Sequence, residues 1–308
     1  MPAATEYYDR LRRRLLLDWD DRIFRGPLFV GEGGVARKKL TEMVGPRSED
    51  AVTWNVFRSL SSLPAEAWLA SVLRQASCVV DDVTSPVAIE FWLQVAPSKA
   101  RLLWLLDHPD TLSFHDPRQE EQSRQRLERV AAQRERWRKA IAEGSAERGD
   151  GVFEGGLELD AVVSNNEIVV VIEARSASDA PTRTPWDPQR DQIARCLDAA
   201  LDWAGRTRQP YFLLATDDYA HASLETTAMV YETLLPRYRD DAAFRASRLP
   251  HRSAAEVARL DGRIGWLSWA DLVDVVLDHS ASFSPEQKRL LRDLVDYLRS
   301  RRLLHKGG

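Results

Sequence analysis

Apolar and polar positions recur along this chain with two periods, and the change from one to the other outlines its architecture. Ser48 offers an N-cap to a stretch in which Val52, Val56 and Leu60 return at helical spacing beside Trp54 and Phe57, and Pro64 closes it. Charged helical patterns cover 5–18 and 118–143, the second with a thin stripe of Leu127, Val130, Trp137 and Ile141. Helices are also expected over 65–76 and 98–106, with a strand over 87–95 between them. The period then shortens. Residues 157–163 and 168–174 read as strands joined by Ser164-Asn165-Asn166-Glu167, hairpin chemistry because asparagine tolerates positive φ. After Pro181, Pro185 and Pro188, a helix over 189–204 places Ile193, Leu197, Leu201 and Ala204 on one face. A buried strand is expected over 211–215, helices over 222–260, a strand over 263–267, and helices over 269–278 and 285–302. Hairpin, helix, strand is an α/β order, a mixed sheet with helices on its faces.

Composition narrows the class. With 308 residues the chain can bury one large core or two modest ones, as one domain with an insertion or as two, and its apolar and charged fractions are those of a globular protein. No apolar run is long enough for a bilayer, and the start, with Glu6 and Asp9, lacks the apolar stretch of a signal peptide, so a cytoplasmic protein is the expectation. Cys78 and Cys196 have neither CxxC spacing nor a histidine companion. The net charge of −4 gives no global attraction to nucleic acid, although a locally basic groove suffices for binding. Arginine greatly outnumbers lysine, which occurs six times.

Candidate chemistry concentrates in the hairpin. Strict alternation puts Glu158 and Asp160 on one face of the first strand, opposite Leu157, Leu159 and Ala161, and puts Glu173 and Arg175 together on the second. Two converging carboxylates suit Mg²⁺, which keeps several waters and takes its other oxygens from a phosphate. A half-exposed hairpin carrying acids on its solvent face is the plain alternative. In the following helix Gln192 and Arg195, three apart, are neighbours on one face and could hold a phosphate or a water; a solvated helix face is the alternative there.

Acid, hairpin, Glu-x-cation, then a helix with Gln and Arg resembles the PD-(D/E)XK nuclease superfamily. The residues that carry the resemblance are Leu157-Glu158-Leu159-Asp160, Ile172-Glu173-Ala174-Arg175 and Asp191-Gln192-Ile193-Ala194-Arg195, and they are most similar to its bacterial branches. It covers about 45–215 with gaps. It implies a restriction-endonuclease-like fold in a single domain: a mixed sheet flanked by helices, a catalytic core at 45–64 and 150–216, a charged helical insertion at 98–148, and a helical C-terminal part at 222–302. It further implies a nuclease acting on DNA, in defence against foreign DNA or in repair, with Mg²⁺ as cofactor and Mn²⁺ as its substitute, with no membrane partner and with homodimerisation left open. By the same resemblance Asp160 and Glu173 bind the metal, the Ala174 carbonyl completes its shell, Glu158 binds metal or a water beyond it, and Glu49 is an additional acid from the first helix. Acids in a first helical turn also simply favour the helix dipole.

Arg175 departs from the family pattern, which has lysine there. Lysine can exchange a proton with water, whereas arginine cannot but can clamp a phosphate with two donors. Three outcomes are open: an active variant, a working cation elsewhere with Arg195 as the candidate, or a fold that binds nucleic acid or a partner without cutting. Other features are set aside. Gly31, Gly33 and Gly34 precede no GK[ST], Pro109-Asp110 is followed by a charged helix rather than a Glu-x-Lys strand, and the histidines lack ligand spacing. The arginines of 118–143 are interleaved with glutamates, the pattern of a solvated face. Trp54, Trp92, Trp104 and Trp203 sit in apolar patterns and are expected in the core.

Overall fold

A computed structural model describes residues 48–83, 85–108, 131–144, 154–175, 187, 189–217 and 230–304, with Leu16, Met43, Glu121, Arg124, Gln125 and Glu128 individually. The expected helix at 5–18, most of 118–130, the glycines at 31–34, Pro109-Asp110 and residues 222–229 lie outside them. In chain order the described elements begin with α1 (Glu49–Leu60), α2 (Leu69–Gln75), β1 (Ala88–Val95), α3 (Lys99–Asp107) and α4 (Arg134–Glu143). The central part is β2 (Leu157–Ser164), β3 (Ile168–Ala174), α5 (Gln192–Ala204) and β4 (Gln209–Thr216). Then come α6 (Val230–Asp240), α7 (Ala242–Arg248), α8 (Ala254–Ala258), β5 (Ile264–Ser268), α9 (Trp269–Asp278) and α10 (Pro285–Ser300).

The architecture is α/β: the strands form one five-stranded mixed sheet in the order β1-β2-β3-β4-β5. β1, β2 and β3 are antiparallel neighbours, whereas β3-β4 and β4-β5 are parallel. The two parallel steps move across the sheet in the same direction, so crossovers of one hand put α5 and α6–α8 on the same face. There Val169, Val171, Phe212 and Leu214 meet Ile193, Leu197, Tyr231, Leu235 and Val257. On the other face Val170, Ile172, Tyr211 and Leu213 meet α1, α2, α9 and α10 through Val52, Phe57, Leu73, Leu272 and Leu294. β3 is therefore buried on both sides, which is why it reads as a nearly continuous apolar run.

Three details depart from expectation. The hairpin turn works through the Asn165 side chain, whose Oδ1 accepts from the N–H groups of Glu167 (2.8 Å) and Ile168 (2.9 Å); neither asparagine has a positive φ. α5 begins at Gln192 rather than 189, because Asp191 is the N-cap and accepts from the Ala194 N–H at 2.9 Å. The part at 222–302 is not wholly helical: the strand expected over 263–267 is present as β5 and joins the sheet as its parallel edge. Trp54 and Trp92 are buried as expected, stacked with ring centroids 5.6 Å apart, whereas Trp104 is partly exposed and stacks on His108. No described helix is long and apolar enough to cross a membrane.

Candidate functional site: an acidic cleft where two strands part

β2 and β3 pair from Ser164↔Val169 to Ala161↔Ile172, and their ladder stops there. Asp160 and Glu173 would be the next pair. Instead of a backbone bond, the Asp160 carboxylate Oδ2 accepts the Ala174 N–H at 2.8 Å, and the strands part around it. The opposite side of β2 is distorted at the same level. Trp92 takes a φ of 49°, and the β1–β2 register passes from Phe91↔Ala161 to Leu93↔Leu159 without a Trp92–Asp160 pair. Positive φ is an uncommon state for a bulky residue, so this rung is strained where the acid is presented.

The distortion corrects the assumption of strict alternation. Leu157 and Leu159 pack with Val162 on the α5 face, while Ala161 and Val163 pack on the opposite face. Glu158 finds its partner on β1, where Gln94 Nε2 donates to its Oε2 at 2.6 Å.

Glu173 is the acid that interrupts the apolar run of β3, only 1% exposed. Three side-chain donors compensate it. Arg175 pairs with Oε1, while Gln192 Nε2 (3.3 Å) and the Cys196 thiol (3.5 Å) approach Oε2 from successive turns of α5. The thiol remains protonated, because burial first and the charges of Glu173 and Asp160 second raise its pKa well above the ordinary value. Arg175 supplies the rest of the connection: its NH1 donates to Glu49 Oε2 at 3.3 Å and its Nε to the Tyr231 hydroxyl at 3.2 Å. Its backbone carbonyl accepts from Trp269 Nε1 at 3.2 Å, so the end of β3 is held from α1, α6 and α9 together. Burial alone would weaken the guanidinium's hold on its proton, but Glu173, Tyr231 and Asp160 more than reverse that and raise its pKa.

The balance of charge is negative. The Asp160 carboxyl is pushed well above the usual carboxylate range, by desolvation first and by the Glu173 charge second, with Asp50 adding to both. The Ala174 N–H and Arg175 act in the opposite direction and do not cancel it. Asp50 sits in the first turn of α1, next to Glu49, and accepts from Trp92 Nε1 at 3.0 Å. Such a carboxyl is satisfied by a proton or by a cation, and the hard oxygens of Asp160 and Glu173 fit Mg²⁺ or Mn²⁺ better than a thiolate-seeking metal. Among the described residues no three His, Cys, Asp or Glu side chains converge into a metal-holding group, so an ion here would rest on this pair, backbone oxygen and water.

Gln192 and Arg195 part company despite sharing a helix. Arg195 turns to Glu154 (3.1 Å) and to the carbonyls of Gly155 and Gly156 (both 2.9 Å). It thereby joins a buried network in which Arg101 and Arg190 bind Glu154, and Arg190, His251 and Arg252 bind Asp198. That network pins the N-terminal half of α5, the part that delivers Gln192 and Cys196 to Glu173. The structure therefore brings together Glu49, Asp160, Glu173, Arg175 and Gln192, and places Glu158 and Arg195 against other partners. Sequence reasoning missed Asp50, Cys196, Tyr231 and Trp269. Cys196 carried a signal, since it lies four residues from Gln192 on the inward face. Tyr231 and Trp269 carried none, being apolar-patterned residues of distant helices. No family model, curated protein or solved structure matches the chain.

Proposed function

We propose that this chain is a metal-dependent nuclease that hydrolyses phosphodiester bonds of DNA on a restriction-endonuclease-like fold. The observation that carries the reading is the pair Asp160 and Glu173 at the parting of two strands, with the Asp160 carboxyl held by the Ala174 N–H beside the Glu173 charge. Asp160, Glu173 and the Ala174 carbonyl would hold Mg²⁺ or Mn²⁺. When bound, such an ion polarises a phosphoryl oxygen and lowers the pKa of its water. The Ala174 N–H fixes the Asp160 carboxylate, and Gln192 with the Cys196 thiol orients that of Glu173.

Arg175 cannot take a proton from water at any working pH, so its role is electrostatic. At rest its guanidinium pairs with both Glu173 and Glu49. An incoming phosphate offers the same fork a bidentate partner, and transfer of Arg175 to that phosphate releases Glu173 oxygens toward the metal. Substrate thus opens the site it needs. A second reading rests on the same contact: if Arg175 stays with Glu173 and Glu49, the fold binds nucleic acid without cutting it.

Cleavage of supercoiled, linear and single-stranded DNA in Mg²⁺ or Mn²⁺ separates the two. The nuclease reading expects metal-dependent cleavage that Asp160→Ala with Glu173→Ala abolishes, and an Arg175→Lys variant at least as active as the parent. DNA binding with no cleavage by either the parent or Arg175→Lys supports the second reading. Cleavage that survives the double alanine variant refutes the site.

A further inference from the structure

The acid Glu173 shares a rung of the sheet with two other residues: Glu173↔Leu214 on β4 and Leu214↔Trp266 on β5. In parallel strands such partners project from one face, and two strand spacings put Trp266 about 10 Å from Glu173. Leu214 and Trp266 floor a cavity of about 370 Å³ whose wall is α6, through Tyr231 and Leu235, with Glu232 and Arg239 also lining it. That volume is in the range of small-molecule sites. The cavity and the acidic cleft share a wall, because the hydroxyl of Tyr231 is the group that accepts from Arg175. Trp266 is 37% exposed, one of few large apolar side chains of the described residues that face solvent. Its indole is not free to turn, since Nε1 donates to Thr216 Oγ1 at 2.8 Å. A fixed aromatic surface beside an acid-bearing rung is costly to leave in water.

We infer that this cavity is a subsite for one unstacked nucleobase of the strand whose phosphate lies at Asp160 and Glu173, with Trp266 as the stacking surface. The proposal rests on the nuclease reading and adds a substrate class to it. The occupant follows from continuity: a strand anchored by its phosphate at Arg175 has its neighbouring base within reach of Tyr231 and Leu214, and the floor there is aromatic and aliphatic. The base-edge groups would meet an acceptor in Glu232 and a donor in Arg239, while Trp266 itself tolerates any base, as stacking does. Single strands, or duplexes that release a base, are the substrates such a pocket serves, because a paired and stacked base cannot enter.

The test uses the full chain in EDTA, with single-stranded oligonucleotides carrying 2-aminopurine at successive positions, read by anisotropy and by 2-aminopurine fluorescence. The proposal expects quenching at one position on binding. Trp266→Ala should remove that quenching and weaken binding on the order of tenfold to a hundredfold, the usual range for one stacked base, and Trp266→Phe should retain most of both. An abasic site at that position should weaken the parent and leave Trp266→Ala unchanged. Thermal melts of both variants check that each is folded. If Trp266→Ala binds and quenches as the parent does, the base subsite is refuted while the nuclease reading stands. If the parent binds no oligonucleotide in EDTA or with Ca²⁺ added in its place, the nuclease reading fails and the subsite with it.

Discussion

Arg175→Met removes the charge at the centre of the acidic cleft while keeping most of the side chain's apolar volume. The loss can be worked from its contacts. The pair with Glu173 is the large one, because that acid is almost wholly buried and would be left without its cation; breaking a buried pair in this way costs about 3–5 kcal/mol. The pair with Glu49 is more exposed and contributes under about 1 kcal/mol. The bond to the Tyr231 hydroxyl adds about 1 kcal/mol. Domains are stable by about 5–15 kcal/mol in total, so the variant should lose a large share of its margin. A divalent ion then has two freed carboxylates to bind, and at a hundredfold excess over Kd it returns about 2.7 kcal/mol. Urea unfolding in EDTA and in Mn²⁺ measures both quantities. The expected result is a loss of about 4–7 kcal/mol in EDTA with partial recovery in Mn²⁺. A loss under about 1 kcal/mol, the size of an exposed pair, would show that Arg175 is not what compensates Glu173. A full loss with no response to Mn²⁺ would show that the freed acids do not form a cation site.

Asp160→Asn tests the raised proton affinity: the native carboxyl keeps a proton that the unfolded chain releases near pH 4, so parental stability in EDTA falls as pH rises from about 4 through the higher native pKa. The variant should lack that decline and be the more stable of the two at pH 8, read as urea midpoints across pH; parallel curves would contradict it. Asp198 has the opposite sign: burial opposes its charge, but His251, Arg190 and Arg252 outweigh burial and lower its pKa. Its contribution is present above about pH 4 and lost as pH falls through the lowered native value, and Asp198→Asn should cost about 3–5 kcal/mol at pH 7 by removing the buried charge that Arg190, Arg252 and His251 share. Gly265→Ala places a Cβ 2.7 Å from the Ala76 carbonyl oxygen and should cost about 1–3 kcal/mol by urea titration; no change would mean the 76–78 segment moves aside freely.

The hairpin and the helix behind it were legible because period and interruption are local signals. An acid in an otherwise apolar run, as at Glu173, declares either a partner or a strand end, and here it has both. The alternation rule failed across Asp160, between Leu159 and Ala161, because it presumes a regular strand, and the distortion at Trp92 and Asp160 is a property of three strands at once. Helical spacing paired Gln192 with Arg195 correctly as neighbours, yet the long guanidinium reached a buried glutamate from a glycine-containing loop instead. Tyr231, Trp266 and Trp269 come from elements beyond the motif, and β5 joins them to it through pairing that local pattern cannot announce. Asp50 was one position from the residue chosen, and only the packing of α1 against Trp92 distinguishes the two.

Manganese binding to the intact chain tests the central claim most directly, followed by electron paramagnetic resonance of free Mn²⁺ and repeated on Asp160→Asn with Glu173→Gln. The account predicts binding to the parent that the double variant abolishes, tightened by Arg175→Met. Equal binding by the parent and the double variant, or none by either the parent or Arg175→Met, would contradict it.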